Sequence, residues 1–380
     1  MSQTPTSAAP EKSGVKKHHA VKEPLIRIAR RNMIPHHEAW IIRVVGFLLS
    51  LVVGALIILA LGENPLSVYS EMVDSAFGSR IGITQTMRNA IPLLGAALAV
   101  GLAFKMRFWN IGAEGQILVG ATAASYFALF HVQNIPQPWL FIVMGLAAAV
   151  AGGIWGLIPA FFRAKWGTNE TLFTLMLNYV ALRYIMYLQS LLRWQVPGSP
   201  GHPQIDRFSM AARLPQVFGL HIGWIIVIAL AILVHLYLNH SKQGYQLTVV
   251  GQSENTARYA GMNVKRIIMR TMIISGAIAG LVGFMQVSGA DFTLTEYTAG
   301  GVGFTAIIVA WVAQLKPVVM VFVAIFIASL ERGALRIQTV FDIPATIAAI
   351  LIGIILFFML ACEFFINYRV IFRGRKEADT

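Results

Sequence analysis

The sequence predicts an all-α integral membrane protein with about ten transmembrane helices. Of its 380 residues, 57% are hydrophobic and only 12% are charged, whereas soluble domains carry about 25% charged residues. Apolar runs that reach the roughly 20 residues needed for a helix to cross a bilayer recur along the chain. Once these runs are removed, no segment is large enough to form a soluble domain.

Ten apolar segments are predicted to cross the membrane. They are 40–62, 84–104, 110–131, 139–162, 170–192, 221–239, 267–288, 303–315, 317–332 and 344–366. The eighth and ninth are short and are divided by Lys316 and Pro317, so two broken helices or one re-entrant unit are both open. The predicted transmembrane domain covers 40–366, between a disordered basic tail over 1–39 and a second basic tail over 367–380.

The charge distribution predicts the orientation of the chain. The net charge is +13, and the basic residues flank the apolar segments, as they do in cytoplasmic loops of inner-membrane proteins. With ten spans, both tails and the loop 240–266 fall in the cytoplasm. These loops also suit an acidic partner or anionic membrane lipid. Nucleic-acid binding is not expected, because the basic residues do not form a patch separate from the spans.

Several chemistries are absent from the sequence. The single cysteine, Cys362, allows no internal disulfide and no cysteine metal site. The chain lacks a Gly-x-x-x-x-Gly-Lys-Ser/Thr phosphate loop, a His-Glu-x-x-His motif and a Gly-x-Ser-x-Gly motif. We therefore expect no enzyme, no metal and no cofactor in this chain, and any ATP would be hydrolysed elsewhere.

The first polar cluster lies at the mouth of the third predicted span. Asn110, Glu114 and Gln116 are costly to place in hydrocarbon and indicate a wet path or a bundle interior. Asn110 and Glu114 would share one helix face, and the cluster offers donors and acceptors that suit a neutral solute. The alternative is a polar helix start at the membrane interface, with Asn110 as its cap.

A second polar cluster opens the fifth predicted span. Asn169 precedes Glu170, Thr174 and Asn178, which repeat every four residues and would form one stripe. Such a stripe on an apolar helix indicates either the wall of a pore or hydrogen bonds between helices after an Asn cap. The sequence leaves both readings open.

Glycines mark two further features. Gly-rich starts at 110–116 and 300–304 are candidates for corresponding points of two halves of a transporter, with tight helix packing as the alternative. The pairs Gly152/Gly156 and Gly276/Gly280 have the small-xxx-small spacing that is typical of close helix packing.

The internal loop contains a third candidate site. Ser253 can cap a short helix over 254–259, and Gly261 can end it. A short amphipathic helix in a cytoplasmic loop suits a groove on another protein. The alternative, a helix resting on lipid, is disfavoured by the mixed charge of Glu254 and Arg258.

Together these regions resemble permease subunits of bacterial ABC importers, in the superfamily of ribose-type sugar, branched-chain amino acid and nucleoside permeases. The segments that carry the likeness to the nucleoside and simple-sugar subgroup are 108–116 (FWNIGAEGQ), 169–172 (NETL), 176–179 (MLNY) and 250–262 (VGQSENTARYAGM). The resemblance covers roughly 40–366.

The resemblance implies a type II ABC importer permease fold that pairs with itself or with a second permease. A separate ATPase chain would bind ATP and Mg, and an external substrate-binding protein or lipoprotein would deliver the solute. The residues implied near the path are Asn110, Glu114, Gln116, Asn169, Glu170 and Asn178. Those implied at the ATPase contact are Gly251, Glu254, Asn255, Arg258, Tyr259 and Gly261.

The sequence thus favours nucleoside import by alternating access. The alternatives are a simple-sugar permease of the ribose type and a proton-driven secondary transporter that uses Glu114 or Glu170 as its relay. A branched-chain amino acid would call for paired charges or helix ends at the site, and the sequence shows neither.

Overall fold

The computed structural model describes residues 26–30, 35–196 and 204–372, most of which are helical. The helices are α1 (His36–Ala60), α2 (Pro65–Phe77), α3 (Arg80–Lys105), α4 (Ala113–Phe130), α5 (Trp139–Trp166), α6 (Glu170–Ser190), α7 (Gly223–His240), α8 (Lys242–Gln252), α9 (Glu254–Tyr259), α10 (Val264–Gln286), α11 (Val302–Val312), α12 (Pro317–Val340) and α13 (Ala345–Asn367). A π-helical turn, Val287–Asp291, extends α10.

Four short strands complete the described structure. Strand β1 (Ile26–Arg30) pairs antiparallel with β4 (Tyr368–Phe372), and β2 (Gln216–Val217) forms a hairpin with β3 (Leu220–His221). Strand β1 and the start of α1 lie inside the segment predicted to be a disordered tail, so that prediction does not hold for these stretches. The partner of β1, strand β4, lies more than 300 residues away in the sequence, beyond the reach of local sequence patterns. The predicted tail segments 1–25, 31–34 and 373–380 lie outside the described residues.

Eight of the described helices are long and apolar enough to cross a membrane. They are α1, α3, α5, α6, α7, α10, α12 and α13. The other two predicted spans are helical but different: α4 begins with the polar residues Glu114 and Gln116, and α11 has only 11 residues. The count of about ten is therefore not confirmed, although each predicted span corresponds to a helix.

The divided region near Lys316 and Pro317 forms two separate helices. Gln314 and Leu315 have positive φ angles of 54° and 57°, which turn the chain between α11 and α12. Pro317 occupies the first turn of α12, where a missing N–H costs nothing. This helix continues beyond the predicted end at 332 and packs there on α2, since Gly333, Ala334 and Ile337 are buried and Arg336 pairs with Glu71 of α2 at 2.7 Å.

The helices α3, α4, α5 and α10 form the centre of the bundle, and α10 packs most extensively against α5 and α4. This packing depends on the glycines with small-xxx-small spacing. A Cβ at Gly280 would collide with the carbonyl oxygen of Ala148, and a Cβ at Gly120 would collide with Gly280 itself. Gly152 and Gly276 face each other in the same way. The structure thus confirms the helix-packing interpretation of this spacing.

We expect Gly280→Val to destabilise the protein, because the added atoms separate α10 from α5 and α4. Overpacking of a core costs about 1–3 kcal/mol. The measurement is thermal unfolding in detergent. The matched control is Gly353→Ala on α13, where a Cβ would meet nothing within 4 Å and is expected to be neutral or stabilising. Equal stability of the two variants would contradict the packing assignment.

Candidate functional site

The segment 106–112 returns into the helix bundle after α3 ends. Asn110 is fully buried, and its Nδ2 lies 3.4 Å from the hydroxyl of Ser275, near the middle of α10. That hydroxyl in turn donates a hydrogen bond of 2.7 Å to the carbonyl oxygen of Ala99 on α3. The start of α4 therefore lies inside the bundle rather than at its end.

Asn110 and Gln116 bind each other through their side-chain amides. Nδ2 of Asn110 donates to Oε1 of Gln116, and Nε2 of Gln116 donates to Oδ1 of Asn110, both at 3.2 Å. The Asn110 oxygen also accepts from the backbone N–H of Gly112 at 3.0 Å. Asn110 is thus not the cap of α4; Gly112 occupies the N-cap position and makes no side-chain cap. Its role in the structure is to fold the segment that leads into the helix.

The polar stripe on α6 attaches this segment to the rest of the bundle. The amide of Asn178 accepts from Gly115 N–H and donates to the Ile111 carbonyl, both at 2.8 Å. The hydroxyl of Thr174 accepts from Ile111 N–H at 3.2 Å. Asn169 caps α6 by accepting from the N–H of Leu172 at 3.2 Å. These groups match the interhelical interpretation of the stripe.

The carboxylate of Glu114 holds two helix N-termini together. It lies in the first turn of α4 and accepts from the backbone N–H groups of Gly301 and Gly303, at 2.8 and 2.7 Å. Gly301 directly precedes α11, and Gly303 lies in its first turn. Gly301 has a φ of +81°, a left-handed backbone conformation that glycine adopts without strain. Helix N-termini carry partial positive charge and attract anions. One carboxylate therefore neutralises both ends. We call this contact the Glu114 junction.

Helix α11 is a half-helix that starts at the Glu114 junction. Its 11 residues give a length of about 16 Å, roughly half of the 30 Å hydrocarbon core of a bilayer. The two Gly-rich starts that the sequence singled out, 110–116 and 300–304, are thus in direct contact. Discontinuous helices whose N-termini meet inside a bundle are typical of transporter binding sites.

An aromatic group that was missed in the sequence lies at the opposite end of α11 from the Glu114 junction, about 12 Å along the helix. Trp109 stacks on Trp311 of α11 with ring centroids 5.7 Å apart and an interplanar angle of 26°. Phe104 contacts both rings, at 5.3 and 5.9 Å. Trp109 is 45% exposed although it directly precedes the buried Asn110. Apolar aromatic residues give no distinctive signal in a sequence that is apolar throughout.

The predicted loop helix is present as α9. Ser253 caps it by accepting from the N–H of Thr256 at 3.2 Å, and Gly261, with φ of +73°, follows its end. A Cβ at Gly251 would collide with the Lys105 carbonyl oxygen, so this glycine lets α8 pack on the end of α3. The side chains of Asn255, Arg258 and Tyr259 point outward, and Tyr259 is 93% exposed.

Arg163 connects α9 to the polar stripe of α6. Its Nε lies 3.4 Å from Glu170 and its Nη2 lies 3.8 Å from Glu254. Glu254 also pairs with Arg258 at 3.4 Å. Glu170 is buried beside Thr174, whose hydroxyl donates to the Glu170 carbonyl at 2.8 Å. In the sequence Arg163 appeared only as a basic flank of a span.

Residues 82–360 match the family described as branched-chain amino acid transport system / permease component. The chain belongs to this family. It is therefore a permease subunit and not an enzyme, and the described residues contain no cluster of His, Cys, Asp and Glu that could hold a metal ion.

Three relatives are similar over most of their lengths. A glucose ABC transporter permease protein of Haloferax volcanii is 33% identical, with 91% of this chain and 93% of the relative covered. A guanosine ABC transporter permease protein of Bacillus subtilis is 33% identical, over 86% and 94%. A nucleoside ABC transporter permease protein of Lactococcus lactis subsp. cremoris is 30% identical, over 85% and 90%.

We expect Glu114→Gln to loosen the start of α11. The amide keeps one acceptor oxygen but directs its own N–H donors toward a backbone N–H, so one charged hydrogen bond of about 1.5–3 kcal/mol is lost. Hydrogen–deuterium exchange over 301–305 should accelerate by about tenfold or more. The control is Glu296→Gln in the preceding loop. Unchanged protection of 301–305 in Glu114→Gln would show that the junction does not hold α11.

Proposed function

We propose that this chain is the membrane-spanning permease of an ABC importer that carries nucleosides across the bacterial inner membrane by alternating access. It would pair with itself or with a second permease and receive solute from an external binding protein or lipoprotein. A separate ATPase chain would bind ATP and Mg. The basic residues beside α8, α9 and both chain ends support placing these parts in the cytoplasm.

The charge balance of the Glu114 junction supports a neutral solute. Two helix N-termini would otherwise bind an anion, but the Glu114 carboxylate already accepts from both Gly301 and Gly303. A zwitterionic amino acid would require groups that compensate both of its charges. A nucleoside or a sugar requires only hydrogen bonds and apolar contact.

The observation that carries the proposal is the exposed stacked pair of Trp109 and Trp311, at the far end of the half-helix α11 that starts at this neutralised junction. A flat nucleobase stacks on an aromatic ring with about 1–3 kcal/mol per base. The guanosine and nucleoside permeases among the relatives support the same solute class. The second candidate is a simple sugar, favoured by the glucose permease relative and by the ability of indole rings to pack against the C–H face of a sugar.

We assign the six polar residues of the sequence prediction to the wall of the path. Asn110, Gln116 and Asn178 hold the segment that presents Trp109, while Glu114 fixes α11, which presents Trp311. Asn169 and Glu170 fix the start of α6. In this assignment the polar groups position the wall, and the aromatic rings contact the solute.

Uptake measurements test the function. Cells with and without this chain would be given labelled guanosine, uridine, ribose, glucose and leucine, in parallel with cells whose partner ATPase is inactive. We expect guanosine and uridine uptake to be lost both in cells without this chain and in cells with the inactive ATPase. Leucine uptake should be unaffected in both. Selective loss of glucose or ribose uptake would move the answer to the sugar permease. Uptake that needs this chain but survives without the ATPase, and stops with the proton gradient, would overturn the ABC assignment.

We propose that α9 is the contact for the ATPase, with Gly251 packing the preceding helix α8 on α3 and Gly261 following the end of α9. The exposed residues Asn255, Arg258 and Tyr259 would enter a groove on that partner. Glu254 on the same helix contacts Arg163, which contacts Glu170 at the start of α6. Motion of α9 would thus reach the stripe that holds the Trp109 segment.

We expect Arg163→Met to reduce coupling while the ATPase stays bound, because both ion pairs are lost and α9 is intact. A coupling change of about 0.5–2 kcal/mol corresponds to roughly 2- to 30-fold less nucleoside uptake per ATP hydrolysed. The control is Lys165→Met, which removes a nearby exposed cation that stacks on Trp166 instead.

The companion variant Arg258→Glu separates docking from coupling. Its exposed charge is reversed on α9, so we expect the ATPase to be lost in pull-downs. If Arg163→Met transports with normal stoichiometry, the ion pairs do not carry the motion. If Arg258→Glu retains the ATPase, α9 is not the contact.

A further inference from the structure

A crevice separate from the Glu114 junction opens between α1, the connection from α11 to α12, and α13. Its volume is about 610 Å³. Most of its wall is apolar, including Phe47, Val319, Phe322 and Phe326. The rings of Phe47 and Phe326 meet edge to face, 5.9 Å apart, and Phe322 is largely exposed. The wall therefore offers long apolar contacts to a molecule that enters from the side of the bundle.

One end of the crevice is polar. Arg43 reaches Glu363 through Nε and Nη2, each 2.9 Å from the carboxylate oxygen Oε1. Gln314 donates to the other oxygen at 2.7 Å. Glu363 is thereby satisfied, while Nη1 of Arg43 has no partner among the residues that the structure describes. Lys316 lines the same crevice, is exposed, and makes no ion pair with the described residues. The polar end carries a net positive charge.

The polar end lies at the membrane face where α1 begins and α13 ends. The two helices run antiparallel and touch closely there, since a Cβ at Gly46 would collide with Cys362 and the Cys362 thiol donates to the Ile42 carbonyl at 3.4 Å. Trp40 is 65% exposed at the same end. Tryptophan is enriched where the hydrocarbon meets the polar headgroups, so the crevice runs from the headgroup level into the hydrocarbon.

We propose that this crevice binds one anionic phospholipid. Lys316 and the free donor of Arg43 would bind its phosphate, and one acyl chain would lie along Phe47, Phe322 and Phe326. Basic pockets between transmembrane helices bind anionic headgroups in this way. A peptide segment is a poorer occupant, because its backbone N–H and C=O groups would find few partners on an apolar wall. The assignment is independent of the transported solute.

The exposure of Trp40 provides a direct test. The complete permease complex would be reconstituted in nanodiscs of phosphatidylcholine that contain a small fraction of either brominated phosphatidylglycerol or brominated phosphatidylcholine. Bromine on an acyl chain quenches indole fluorescence by contact. The difference between the unaltered chain and Trp40→Phe isolates the signal of Trp40. We expect brominated phosphatidylglycerol to quench Trp40 at lower mole fraction than brominated phosphatidylcholine.

Two variants separate the charge from the cavity. Lys316→Ala should reduce the preference for phosphatidylglycerol about fivefold, the effect of one cationic side chain near an anionic headgroup. Its control, Lys242→Ala, removes an exposed lysine at the start of α8 and should leave the preference unchanged. Val319→Phe narrows the crevice without adding an indole and should reduce quenching of Trp40 by both lipids.

Three outcomes would overturn the proposal. Equal quenching by the two lipids, or an undiminished preference for phosphatidylglycerol in Lys316→Ala, would remove the anionic headgroup from the assignment. Absence of quenching by either lipid would mean that protein covers the crevice, either the second permease or another part of this chain.

Discussion

The interaction on which the rest of this structure depends is the contact of the Glu114 carboxylate with Gly301 and Gly303. Helices α4 and α11 both begin inside the bundle, where unpaired backbone N–H groups cost several kcal/mol each. A single carboxylate binds N–H groups of α11 while standing in the first turn of α4. The carboxylate therefore compensates two helix ends without water from bulk solvent. This contact allows the bundle to contain broken helices.

The same principle governs the surrounding polar groups. Asn110 and Gln116 satisfy each other, and Asn178 pairs with both an N–H and a carbonyl of the segment before α4. The close approach of α5 and α10 through glycine leaves little room for water between them. The polar side chains around the start of α4 thus hold backbone in irregular positions. The aromatic rings of Trp109 and Trp311 are the exposed groups next to this segment.

The sequence allowed the apolar helices to be predicted, but not the features that depend on distant partners. Helix α2 was missed because Ser67, Glu71 and Asp74 break its apolar pattern. It is held in part by an ion pair between Glu71 and Arg336, which lies far away in the sequence. At the candidate site, Glu114 and Asn178 were recognisable as costly side chains in apolar surroundings. Their partners are backbone groups, which carry no side-chain signal. Arg163 looked like any basic residue that flanks a span, since only the fold brings it between Glu170 and Glu254.

The hydrogen bonds of Glu114 and the ion pair of Glu170 bear on the source of energy for transport. A proton-driven cycle would require Glu114 or Glu170 to gain and lose a proton in each turnover. Protonation of Glu114 would convert one acceptor oxygen into a hydroxyl facing a backbone N–H and would remove the charge that compensates two helix ends. Protonation of Glu170 would weaken its ion pair with Arg163. Each contact uses the carboxylate as an acceptor or an ion-pair partner, so a cycle that protonated either group would have to break that contact. In the cycle proposed above, movement of α6 and α11 is instead driven from outside the bundle, through α9 and its contact with Arg163.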